Sequence, residues 1–385
     1  MKNIGTLRAA DHILHLAWTP AGDSLAITPS TGDILVADAT AGIIQKFPAH
    51  GMGNGASAWF HGDLATCGFD GKIRWAGQEW KPGRGMIERV KTSPDGTHLA
   101  AGQGRALHIF DKNGPTDFSL PQLPDAVADF VWNPAKANEV ATVGAGGARM
   151  WRLGEKEPFA RFDWGGASIL VDWSHTGRWL ATADQTASVH VYDFPRDYPL
   201  HIQGFESKVQ ALAFSADGTR LATGGSPVVT VWPCTGKKGP EGAKPIQVEG
   251  HDLDVCAVAF SPLTGQLATG DESGTLLVIA FETGQFRRKR SRLASGISAL
   301  AWHPTLPLLA IGHVDGEGFV RVRKDDEELL TAPPTNMVGR SHKRRQDMGH
   351  MAQRVVASFM PECVVELLEV IEVKQHDRRR ALIVR

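Results

Sequence analysis

Between Val209 and Trp232 the chain reads as three short apolar runs separated by breaks. Val209, Ala211, Ala213 and Phe214 form the first. Ser215-Ala216-Asp217-Gly218 is a turn, because aspartate bonds its own backbone and glycine accepts positive φ. Leu221-Ala222-Thr223 opens the second run, Gly224 to Pro227 breaks it, and Val228 to Trp232 is a third, rich in β-branched and aromatic residues. Runs of about five residues joined by tight turns predict an antiparallel meander with no room for a helix. Such a sheet cannot cover both of its faces, so it must stack on copies of itself.

Those copies are present. Aligned on Phe214, equivalent anchors fall at Trp18, Trp59, Thr92, Trp132, Trp173, Phe260 and Trp302, spaced by 41, 33, 40, 41, 41, 46 and 42 residues along the chain. The turn after the anchor recurs as TPAG at 19–22, SPDG at 93–96, SHTG at 174–177 and SPLTG at 261–265. The second run recurs as Leu64-Ala65-Thr66, Leu99-Ala100-Ala101, Leu180-Ala181-Thr182, Leu267-Ala268-Thr269 and Leu309-Ala310-Ile311. The segment 2–9 alternates enough to supply one more strand, which closes the ring if it shares a sheet with the last repeat.

Over residues 1–330 this pattern resembles the WD40 repeat family, whose blades repeat about every 40 to 45 residues. The resemblance implies an all-β, WD40-type β-propeller of eight four-stranded blades, or of seven if the short second unit belongs to a distorted neighbour. The family's Trp-Asp pair is relaxed to Phe110-Asp111, Tyr192-Asp193 and Ala37-Asp38, and its Gly-His pair survives at Gly250-His251. His50, Thr66 and Asp70 nearly assemble its hydrogen-bonded set, but Trp75 stands one position early and would face the other side of its strand.

The resemblance also implies a non-catalytic scaffold that binds partner proteins or peptides on the loops where an outer strand meets the next inner strand. By position those loops hold Met52, Phe69, Trp164, Phe205 and His251, residue types that interface hot spots use. Phe205 leads as a partner contact, whereas His251 fits the family's structural histidine better and Trp164 has the alternative of tucking under the next blade. Trp18, Trp59, Trp132, Trp173, Phe214, Phe260 and Trp302 are expected to wedge between neighbouring sheets.

Composition narrows the picture. A formal charge of −1 and no basic stripe in the repeats argue against nucleic acid. The run Arg287-Arg288-Lys289-Arg290 with Arg292 suits an outer strand, where cations discourage edge pairing, with an anionic partner as the alternative. The long 234–249 segment reads as a solvated loop. Cys67, Cys234, Cys256 and Cys363 lie far apart without metal spacing, and no signal peptide or membrane-length apolar run occurs, so a monomeric, cytoplasmic protein without cofactor or membrane contact is expected.

No nucleophile elbow, HExxH helix or Walker loop is present, and the glycines at 51–55 and 144–147 lead into strands instead of helices. The enzyme alternative is a propeller hydrolase or lactonase with a metal in the central channel, yet the inner-strand starts read Leu14, Val90, Val127, Ile169, Val209, Val255 and Ile297. Beyond residue 330 the repeat stops. Residues 331–385 carry 10 Lys and Arg against 6 Asp and Glu and read as a basic linker with a C-terminal extension, helical around 361–374 or disordered.

Overall fold

The computed structural model describes residues 2–120, 122–194, 198–282, 285–314, 330–332 and 365–372. Among them no helix occurs. The Phe214 repeat shows the unit: Ala211–Phe214, Arg220–Gly224, Val229–Pro233 and Ile246–Val248 pair antiparallel in that order, with Phe214 opposite Leu221, Leu221 opposite Trp232 and Val229 opposite Val248. The turn works as its residues dictate. Asp217 accepts from the Ser215 hydroxyl (2.6 Å) and from the N–H (2.9 Å) and hydroxyl (2.7 Å) of Thr219, while Gly218 takes a φ of +67°.

The first strands pack on one another around a ring: Ile13–Trp18 on Asn54–Phe60, then Arg89–Thr92, Asp129–Asn133, Ala160–Trp173, Ala211–Phe214, Val255–Phe260, Ile297–Trp302 and back to Ile13–Trp18. The anchors join these strands. Trp59 Nε1–H donates to Ala17 O (2.8 Å), Trp132 to Lys91 O (2.9 Å), Trp302 to Ala259 O (2.9 Å) and Trp18 to Ala301 O (3.1 Å). Each acceptor is the residue before the preceding anchor, so one joint is reused around the ring. Trp173 departs from it and donates to Gly177 O (3.1 Å) in its own turn.

Apolar cores fill the gaps between sheets. Ile13, Leu25 and Ile27 of the Trp18 repeat meet Leu308 and Ala310 of the Trp302 repeat, and Phe60, Ala65 and Ile73 of the Trp59 repeat meet Val90, Leu99 and Phe110 of the next. Turn glycines permit the close approach below: a side chain on Gly22 would strike the His303 ring, whose Nε2 lies 2.7 Å from Gly22 O.

The strand count corrects the expected blades. The described strands form neither eight nor seven uniform four-stranded blades; five hydrogen-bonded sheets have four strands, one has five and one has six. The six-stranded sheet arises because Lys136–Arg152 folds back through Gly146 and Gly147, both at positive φ. Ala160–Trp173 then runs unbroken from the outside of the Trp132 repeat to the inside of the Trp173 repeat. The fifth strand of the other sheet is Leu330–Ala332, laid on Phe286–Arg288.

The C-terminal helix is also corrected. Val365–Glu372 is a strand, inserted between Leu308–His313 and Lys2–Ala9 in the sheet that closes the ring. Its helical periodicity loses to the unfilled backbone donors and acceptors on both neighbours, and Val365, Val370 and Ile371 suit an extended chain. The remainder of the expected 361–374 helix and most of the basic linker lie outside the described residues.

Candidate protein-binding face

On the face where the fourth strand of one repeat leads into the first strand of the next, two loops are tied by the same polar set. His50 Nδ1 lies 3.0 Å from Asp70 Oδ1 and its Nε2 lies 3.1 Å from Thr66 Oγ1. His251 Nδ1 lies 3.2 Å from Asp271 Oδ2 and its Nε2 lies 2.7 Å from Thr269 Oγ1. Burial would raise the Asp271 carboxyl, but the Ser273 hydroxyl and the N–H groups of Thr275, Asp252 and Leu253 outweigh it and hold the pKa at about 2. Both histidines are pushed below their ordinary pKa by burial, against the pull of their aspartates.

Trp75 does not join the first set. It turns to the other side and donates to Phe60 O (2.8 Å), while Trp151 and Trp232 make the corresponding contact to Thr142 (2.9 Å) and Thr223 (3.4 Å) in repeats that lack the histidine. The polar set is thus divided among repeats instead of being complete in any one of these.

These ties fix what the loops present. Met52 is 72% exposed, and the Phe69 ring lies against Gly53, 3.2 Å from where a Cβ would stand. Met52 and Phe69 are therefore brought together. Trp164 is half-buried on the outer strands of the next repeat, 4.3 Å from the His190 ring and 4.9 Å from the His201 ring. Phe205 is half-buried against Trp232 (6.4 Å). His251 is buried in its hydrogen bonds. Contrary to the expectation of a loop, Trp164 stands within the strand Ala160–Trp173, because the chain passes from one repeat to the next without a break there; Phe205 and His251 stand in separate loops.

One register explains the difference. His50, Trp164, Phe205 and His251 each lie nine positions before their own anchors, Trp59, Trp173, Phe214 and Phe260. Where that position is histidine, it ties the turn; where it is aromatic, it packs. Leu253, 45% exposed, matches Met52 two residues after the histidine, a signal that the alignment of repeats contains. Met86, 51% exposed, is a further apolar side chain on this face.

The comparisons with known proteins agree with this geometry. The family model described as WD domain, G-beta repeat matches residues 198–232 and 243–279. The chain is a β-propeller, and its repeats anchored at Phe214 and Phe260 match the WD40 family model. Over 257 residues, 60% of the chain, the propeller is 25% identical to Cell division cycle 20.1, cofactor of APC complex, from Arabidopsis thaliana, covering 56% of that protein. Over 148 residues, 37% of the chain, it is 28% identical to the Periodic tryptophan protein 2 homolog from Dictyostelium discoideum, covering 16% of it. The propeller thus spans little more than half of the first relative and a small part of the second.

Around the propeller axis the inner strands carry charges that their starting residues do not announce. Lys91 Nζ donates to Asp129 Oδ1 (2.9 Å) and Phe130 O (2.6 Å), Asp129 accepts from Val171 N–H (3.2 Å), and Asp172 accepts from the N–H groups of Trp173 (2.9 Å) and Phe214 (2.7 Å). The chain of contacts straps four successive repeats. Burial pushes Asp172 up to about 6 despite those donors, and burial, followed by the charges of Lys91 and Arg89, pushes His15 down to about 4. Lys91 and Asp172 both directly precede an anchor, which is the signal that would have found them.

Two other stretches find partners within the chain. The basic run lies on the outermost of four meander strands, Gln285–Arg292, where Asp252 takes Arg290 and Arg292 (both 2.7 Å) and Glu282 takes Arg287 (3.0 Å). The 234–249 loop is docked, not merely solvated: Arg178 donates to Gly236 O (2.7 Å) and Lys237 O (2.8 Å) while its guanidinium stacks 4.2 Å over Trp179.

Proposed function

We propose that the propeller is a non-catalytic scaffold that binds partner proteins or peptides on the face carrying Met52 and Phe69. The observation that carries this reading is Met52 itself, 72% exposed at the tip of a loop whose base is fixed by His50, Thr66 and Asp70. A rigid base lets an apolar side chain meet a partner without ordering a loop first. The relatives support protein partners as the class, since the Arabidopsis protein is described as a cofactor of a complex. Phe205 and Trp164 contribute through their exposed edges, and His251 through the shape of its loop.

The hydrolase or lactonase alternative would need donors around the axis able to converge on a metal. Asp129 and Asp172 are instead committed to Lys91 and to backbone N–H groups, so a metal would have to displace these ties. Elemental analysis of dialysed protein separates the readings: stoichiometric calcium or zinc supports the enzyme. For the scaffold, photo-crosslinking from position 52 to co-purified proteins is expected to give discrete products that unlabelled wild-type chain competes away and that the Met52→Asp chain, at unchanged thermal midpoint, does not. Products formed equally from a site on the opposite face would remove the assignment.

A further inference from the structure

The turn carrying Phe69 is bracketed by two loops, and the second brings charge as well as apolar surface. Ile87 N–H donates to Gly68 O (3.1 Å), Gln103 Nε2–H donates to Gly85 O (2.7 Å), and a methyl group on Gly71 would collide with the Gly85 carbonyl. The backbone on both sides of Gly85 is therefore held in place. Its flanking residues, Arg84 and Met86, are both exposed. Met52, on the other loop, is held alongside by Phe69 N–H donating to Gly53 O (3.0 Å).

The charge on this patch is one-sided. Lys72 and Arg74 are paired with Glu79, and Asp70 is taken up by His50 and its own turn. Lys81 and Arg84 are exposed and make no ion pair or side-chain hydrogen bond among the described residues. Glu88, exposed on the far side of buried Ile87 in the chain, makes no ion pair with either cation. Two uncompensated cations next to two exposed methionines leave a surface that is basic and apolar together.

From this we infer the chemistry of the partner: a short peptide segment in which Asp or Glu neighbours an unbranched or aromatic apolar side chain, the apolar group seated on Met52, Phe69 and Met86 and the carboxylate on Arg84. This rests on the scaffold reading above. Methionine suits the role because its flexible, polarizable side chain fits apolar groups of different shape, while the guanidinium meets a carboxylate with two parallel N–H donors. The exposed hydrophobics of the opposite face, Leu263 and Leu306, sit in turns without such paired cationic neighbours.

Two fluorescein-labelled pools of short peptides test it, matched in Leu, Met and Phe content, one with Asp and Glu and the other with Lys and Arg at the intervening positions. Titrated with the whole chain and read by anisotropy, the acidic pool is expected to bind about tenfold tighter. Arg84→Glu should abolish that preference, and the Met52→Ala, Met86→Ala double variant should weaken both pools at unchanged thermal midpoint. Equal binding of the two pools, or a preference that survives Arg84→Glu, overturns the partner chemistry but leaves the face standing if the methionine variant still weakens binding. Peptide binding untouched by the methionine variant removes the face as well. Binding of phosphatidylserine-containing vesicles in place of either pool overturns the proposal in favour of a lipid surface, and binding of neither probe overturns it outright.

Discussion

At the entrance to the Phe260 repeat, His251 reaches Asp271 and Thr269; at the entrance to the Trp173 repeat the same register position holds Trp164, which lies on His190 and His201. The aspartate is retained in both. Without a loop histidine, Asp184 instead accepts from Ser168 (2.6 Å) and Ser188 (3.1 Å) and lies 2.7 Å from His190 of its own third strand. One junction is held by buried polar bonds and the other by ring packing and a continuous strand. The consequence is visible outside: the histidine junctions expose Met52 and Leu253, whereas the aromatic junction turns its large side chain inward. A polar tie leaves the neighbouring apolar residue available to a partner.

Substitutions can break or sharpen that contrast. The largest effect is expected at the indole joint that four repeats share: Trp132→Ala should cost about 3–5 kcal/mol in denaturant unfolding, through lost packing and an unmet Lys91 carbonyl. His251→Phe should cost about 2–3 kcal/mol because it leaves a buried carboxylate short of a partner. Trp164→Phe, which keeps an aromatic on the histidine pair, should cost under about 1.5 kcal/mol. Equal costs for the last two would end the distinction between the junctions.

Acid and base separate the same regions. Asp271, held at about 2, and His251, held below its ordinary value, both have depressed pKa values in the folded chain. Their stabilisation is present at neutral pH and is lost on acidification, first through the histidine and then as pH falls below the ordinary carboxylate value toward 2. Asp172 runs the other way. Raised to about 6, it favours folding most below the ordinary carboxylate pKa and loses that contribution as pH rises through 6. Asp172→Asn should therefore gain stability relative to wild type between pH 4 and pH 7, as read from urea midpoints, and a constant difference would contradict its burial. Met52→Ala should be the smallest change, within about 0.5 kcal/mol, since the side chain is exposed.

The ring was legible because Trp18, Trp59, Trp132 and Trp302 recur at the depth where an indole reaches its neighbour's carbonyl, and that spacing is written in the chain. The off-register Trp75 was legible for the same reason, side chains alternating along a strand. The joined six-stranded sheet was not, because a glycine pair such as Gly146-Gly147 does not say how the strands on either side of it will pair. The segment at 365–372 carries a helical stripe as well as β-branched residues, and only the gap between two distant strands decides between them. Trp164 and Phe205 stood out as aromatics in loops, but their register with His50 and His251 is what describes their surroundings.

The repeated indole-to-carbonyl joint has a historical corollary. Where a seam matches a donor on one repeat to an equivalent acceptor on its predecessor, as at Trp18, Trp59, Trp132 and Trp302, losing or duplicating a repeat brings compatible edges face to face, so the circle can change size there without a new type of seam. The Trp173 and Phe214 repeats, sewn instead by Asp172 and a shared long strand, are where such an exchange would meet resistance.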